Sequence, residues 1–126
     1  MEKARFGVIG CGSIAEIAHF PSIHRTEGAE LAACCDIDAE RAQEAAEKWD
    51  AGSWYVDYRE MLTESDDLDA VIVATPNNVH RNQAVAAAQA GAHVVVEKPL
   101  APTNKEAWDI VKACLENEVK LMVGCD

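Results

Sequence analysis

A chain of 126 residues with 11 basic and 22 acidic side chains carries a net charge of −11, at a length that suits one domain. Hydrophobic residues at 49% and charged residues at 26% argue against bulk disorder, and the acidic balance argues against a nucleic-acid or anionic-membrane partner, which wants clustered Lys and Arg. No apolar run approaches the ~18 residues of a membrane span, and the N-terminus shows no secretory signal.

The chain alternates two textures. Residues 6–9 form the first short apolar run, and a helix is predicted from about Ser13, interrupted near Pro21. Residues 31–35 form the second run. Ala42, Ala45, Ala46 and Trp49 then follow i, i+3, i+4, i+7, with Asp38 placed to cap that helix. A weaker strand signal covers 54–56, and a stronger one 70–74. Residues 82–90 are Ala-rich and helix-prone, with Gly91 as the residue that ends the helix. Residues 93–96 are the fifth run. Ala107, Ile110, Val111 and Cys114 repeat the helical spacing behind a Thr103/Glu106 capping box, and 120–123 is the sixth run. Runs apolar on both faces read as buried parallel strands. The predicted fold class is therefore α/β: a doubly wound parallel sheet of about six strands with helices on both faces.

The five cysteines are Cys11, Cys34, Cys35, Cys114 and Cys125, an odd number with no Cys-x-x-Cys pair and no metal-ligand spacing. Adjacent Cys34 and Cys35 point to opposite faces of a strand. They read as small core residues in a reducing compartment, with the cytoplasm as the expected location and no metal expected.

Four motifs carry chemistry. Gly10-Cys11-Gly12-Ser13-Ile14-Ala15 is a G-x-G-x-x-A that follows a strand and opens a helix, the context of a dinucleotide-binding turn. Gly10 allows the turn, Gly12 admits a pyrophosphate to the backbone, and Ala15 permits close helix–strand packing. Asp36 ends the second strand 21 residues after Ala15, near the spacing of an acid that accepts from the adenosine ribose hydroxyls. Its carboxylate favours NAD over NADP, although nearby Arg41 softens that preference; capping a helix is the plainer alternative for Asp36. Thr75-Pro76-Asn77 follows the fourth strand, where ligands sit in an open α/β sheet, and His80 follows; a plain turn for Asn77 and a capping or packing role for His80 are the alternatives. Glu97-Lys98-Pro99 follows the fifth strand. Lys98 is placed to act as an acid/base group, against the alternative of a solvated strand-end lysine.

Together these residues resemble the glucose–fructose oxidoreductase / inositol dehydrogenase family (Gfo/Idh/MocA). The matching order is the Gly10–Ala15 motif, Cys35-Asp36, Ala74-Thr75-Pro76-Asn77 with His80, Ala90-Gly91-Ala92-His93-Val94, Glu97-Lys98-Pro99-Leu100 and Leu121-Met122-Val123-Gly124. The resemblance implies a Rossmann-type NAD(P) domain over residues 1–126 and a C-terminal substrate domain absent from this chain. It also implies an Asn-x-Arg-like segment where the sequence instead reads Cys125-Asp126. It further implies hydride transfer between nicotinamide and a hydroxyl or carbonyl of a sugar, cyclitol or related small molecule, with Lys98 catalytic and the Lys98–Pro99 peptide cis. Gly10, Gly12, Ser13 and Ile14 would hold pyrophosphate and adenosine, Asp36 the ribose, and Thr75, Pro76, Asn77, His80, Glu97 and Lys98 the nicotinamide half. The isolated domain is expected to bind cofactor without turnover and to form a homo-oligomer. A non-catalytic NAD-sensing regulator of the same fold is the competing function.

Overall fold

The computed structural model describes residues 2–65 and 67–124, so Cys125 and Asp126, on which the departure from the family pattern rests, lie outside the described residues. Among the described residues six strands form one sheet: β1 Ala4–Ile9, β2 Ala29–Cys35, β3 Ser53–Tyr55, β4 Ala70–Val73, β5 His93–Val96 and β6 Leu121–Val123. Their spatial order is β3-β2-β1-β4-β5-β6, and every pairing is parallel. β1 and β2 each begin two residues before their apolar runs. Arg5 and Glu30 face each other in that extension and form an ion pair at 3.5 Å, so polar residues extend the ladder where hydropathy is silent.

Side-chain alternation splits the core into two clusters, one on each face of the sheet. Ile9, Cys35, Val71, Val73, Val94 and Val96 face α3 Tyr58–Glu64, α4 His80–Gln89 and α5 Asn104–Glu116. Val8, Cys34 and Ile72 face α1 Phe20–Arg25 and α2 Ala39–Trp49. Cys34 and Cys35 thus enter opposite clusters, as strand geometry requires.

The helix starts follow the sequence signals. Asp38 accepts the Arg41 N–H, and Thr103 accepts the Glu106 N–H at 3.2 Å. The Glu106 carboxylate accepts from the Thr103 hydroxyl, a variation on the reciprocal bond of a capping box. Gly91 takes φ 88° after α4.

The first helix departs from expectation. It is not interrupted at Pro21: residues 13–25 remain helical, with a π turn over Ala15–His19 leading into α1. The Phe20 N–H closes this wider turn on the Ala15 carbonyl. Proline has no N–H to lose, and the slipped register relieves its ring of the usual clash with the carbonyl four residues back. The same helix is fixed to α2 through Glu16, which accepts from Lys48 Nζ at 2.8 Å and Trp49 Nε1 at 2.9 Å.

Candidate functional site

β1 and β4 are neighbours, but the chain leaves β1 towards β2 and returns to β4 from β3. The connections after β1 and β4 therefore run to opposite sides and leave a crevice at the strands' C-terminal ends. The loop after β1 is held on both flanks. The Gly10 N–H donates to the Cys35 carbonyl at 2.7 Å, and the Ala74 N–H donates to the Ile9 carbonyl at 2.8 Å.

The two glycines do different work. Gly10 has φ 102°, and a Cβ there would lie 2.7 Å from the Ala74 carbonyl oxygen, so this position needs glycine for backbone reasons. A Cβ on Gly12 would meet nothing nearer than the Arg41 guanidinium at 3.9 Å. The space over Gly12 is an open cradle, and Gly12, which precedes the helix start at Ser13, has no side chain of its own to cap it. Exposed Ser13 and Ile14 sit on that first turn. Backbone N–H groups and the positive end of a helix longer than three turns suit a phosphate.

Asp36 is 8% exposed, yet both carboxylate oxygens are engaged: Oδ2 accepts the Cys11 N–H at 2.8 Å and Oδ1 accepts the Asp38 N–H at 2.9 Å. The capping role falls to Asp38, so Asp36 is not the cap. Arg41 Nη1 stands 3.8 Å from Asp36 Oδ2, and its Nη2 stands 3.9 Å from Asp38 Oδ2. Two buried thiols beneath the loop, Cys35 and Cys11, are pushed towards the protonated form. Burial first, then the Asp36 charge, pushes Cys35 up to about 12. A side-chain hydrogen bond with Cys34, then burial, also raises Cys11.

A cavity of about 430 Å³ opens beside these groups. Its lining brings together Gly10, Gly12, Asp36, Thr75 and Pro76 of the sequence-predicted set; Ser13, Ile14, Asn77, His80, Glu97 and Lys98 are not in that lining. Tyr58, Asn78 and Gln83 do line it, and sequence reasoning missed all three. Asn78 is the neighbour of the predicted Asn77, which starts the 3-10 turn Asn77–Val79. Gln83 is one helical turn beyond His80 on α4 and accepts from the Thr75 hydroxyl at 2.5 Å.

His80 stands apart from the expectation that it lines the cofactor. It is 1% exposed, with Nε2 2.6 Å from the Thr75 carbonyl and Nδ1 3.2 Å from the Leu100 carbonyl. The ring is a strut joining the loops after β4 and β5, which is the packing alternative. Glu97 directly follows β5 and contacts Nε2 of His19, a residue to which no local pattern drew attention. Lys98 is exposed beside it, and the Lys98–Pro99 peptide is cis. Among the described residues, no group of three or more His, Cys, Asp or Glu side chains could hold a metal, and no helix is long and apolar enough to cross a membrane.

Comparison with known proteins matches this geometry. The model of an oxidoreductase family with an NAD-binding Rossmann fold matches residues 4–125. The scyllo-inositol 2-dehydrogenase (NADP(+)) of Bacillus subtilis is 39% identical over 118 residues, covering 94% of this chain and 35% of that protein. The WlbA dehydrogenase of Bordetella pertussis, solved with NADH and UDP-GlcNAcA, superposes with a TM-score of 0.91 at 39% identity, over 98% of this chain and 37% of that one. A 3-ketoreductase of Actinomadura kijaniata, solved with NADP, gives 0.89 at 31% identity, over 97% and 38%. The chain spans about a third of the length of these relatives. With a family match from β1 to beyond β6, and a cavity lined by the glycine turn, Asp36 and the loop after β4, this chain belongs to the Gfo/Idh/MocA oxidoreductases as their NAD-binding Rossmann domain.

Proposed function

We propose that this domain binds NAD(H) in preference to NADP(H) and forms the cofactor half of a dehydrogenase acting on a hydroxyl or carbonyl of a sugar, cyclitol or related small molecule. The observation that carries the reading is the open cradle over Gly12, flanked by the helix start at Ser13 and by the Asp36 carboxylate. The cradle suits a pyrophosphate, whose charge the helix start offsets. Each Asp36 oxygen accepts one backbone N–H and retains acceptor capacity for a ribose hydroxyl. A 2′-phosphate would bring a second negative charge against that carboxylate. Relatives solved with NADH and with NADP both exist, so the preference rests on Asp36 alone.

When bound, nicotinamide supplies the hydride acceptor or donor. Lys98, at the strand end across the switch point from Asp36, takes up or returns the proton of the substrate hydroxyl and polarises its oxygen as charge develops. Gly10 and Gly12 seat the phosphates, and Thr75 and Pro76 wall the cavity between the two halves. Substrate contacts belong to the additional length that the relatives carry. Calorimetric titration of this chain with NAD and NADP tests the reading. Tighter NAD binding is expected; equal or tighter NADP binding would remove the preference, and no binding of either would remove the function.

A further inference from the structure

His19 and Glu97 meet across 78 residues of sequence, with 15% and 18% of their side chains exposed. His19 rides on the helix that opens at the glycine-rich turn. Glu97 directly follows β5 and begins the Glu97-Lys98-Pro99 turn. Two independent features build the contact. The π turn Ala15–His19 adds a residue between the glycine turn and His19, and one residue rotates a helix by about 100°. The slip therefore aims His19 away from the direction an unbroken α-helix would give it. Such turns concentrate at functional sites. From the other side, the segment after β6 closes on the carboxylate: a Cβ on Gly124 would lie 3.3 Å from both Glu97 oxygens. Three elements thus converge on one carboxylate just after β5, across the β1/β4 switch point from Asp36 just after β2.

We propose that His19 is a positioning residue of the nicotinamide half-site, holding the Glu97 carboxylate and the turn that carries Lys98 against the helix of the pyrophosphate loop. The proposal rests on the dinucleotide reading above and extends it to a residue outside the family's glycine and Glu-Lys-Pro motifs. Its consequence is spatial selectivity. The adenosine half binds over β2 and does not meet this pair; the nicotinamide half does.

The test titrates this chain and its variants with NAD and with ADP-ribose, which lacks nicotinamide. His19→Ala is expected to weaken NAD binding about tenfold while ADP-ribose affinity stays within about twofold. His19→Gln, whose amide N–H reaches the same carboxylate, should restore NAD affinity to within about threefold of the unmodified chain. Glu97→Ala should show the same split, and the double alanine variant should be no worse than either single one. Thermal melting accompanies each titration; if His19→Ala fails to fold, His19→Gln and Glu97→Ala carry the comparison. Equal weakening of both ligands, or NAD affinity unmoved in His19→Ala and Glu97→Ala, would overturn the proposal. An unmodified chain that fails to bind ADP-ribose would overturn the dinucleotide reading and this proposal with it. Normal ADP-ribose binding with no NAD-selective loss would overturn this proposal alone.

Discussion

The Asp36 carboxylate accepts the backbone N–H of Cys11 at 2.8 Å, tying the end of β2 to the middle of the glycine-rich turn. One side chain thus ties down the glycine-rich turn, and in the proposed function its remaining lone pairs would accept from the ribose. Removing it leaves the Cys11 and Asp38 N–H groups without their acceptor. Asp36→Ala is expected to lower stability by about 2 kcal/mol and NAD affinity by about tenfold or more. Denaturant unfolding and calorimetry on the same preparation measure the two effects. An affinity loss with unchanged stability would show that the loop does not depend on this bond.

The glycines should separate stability from binding. Gly10→Ala forces a Cβ against the Ala74 carbonyl at positive φ, and a loss of about 2–3 kcal/mol is expected. Gly12→Ala meets only the Arg41 guanidinium at ordinary van der Waals distance, so stability should stay within about 1 kcal/mol while the methyl fills the proposed phosphate cradle and NAD affinity falls at least about tenfold. Parallel melts and titrations check the contrast, and reversal of the two patterns would reassign the roles.

Lys98 should contribute to turnover more than to affinity. Lys98→Ala is expected to leave NAD binding by this domain within about threefold. In the full-length protein it should lower kcat by about 10²–10⁴-fold, the range of acid/base groups. Steady-state kinetics with the cofactor saturating would decide; near-normal turnover with poor NAD affinity would make Lys98 a binding residue.

The thiol of Cys35 gives the domain an alkaline weakness. Burial, then the charge of Asp36, raises it in the folded state from 9.0 to about 12. Below pH 9 the thiol is protonated folded or unfolded, and the full stability is present. Between pH 9 and 12 only the unfolded state releases the proton, so stability falls by up to about 1.4 kcal/mol per pH unit from this group. Urea midpoints at pH 7, 9 and 10 should decline, and Cys35→Ala should flatten the decline. Parallel pH profiles for the two proteins would show that Cys35 does not drive it.

The alternation of apolar runs with helical spacings determined the parallel α/β architecture, because each signal lies within one element. Asp38, Thr103 and Gly91 announced helix ends through bonds and backbone angles spanning three or four residues, which a sequence displays directly. Gly10, Gly12 and Asp36 were legible for a similar reason: each occupies a strand's exit, and a strand's exit in an open parallel sheet faces the crevice. Only the tertiary structure decided how the exits connect. It carried the first helix past Pro21 on a π turn, turned His80 inward onto two carbonyls, put Asn78 and Gln83 on the cavity, and brought His19 to Glu97. These outcomes depend on strand order and helical register together. A residue's facing is set by neighbours tens of positions away, and one added residue in a helical turn redirects a side chain by about 100°, which no local periodicity records.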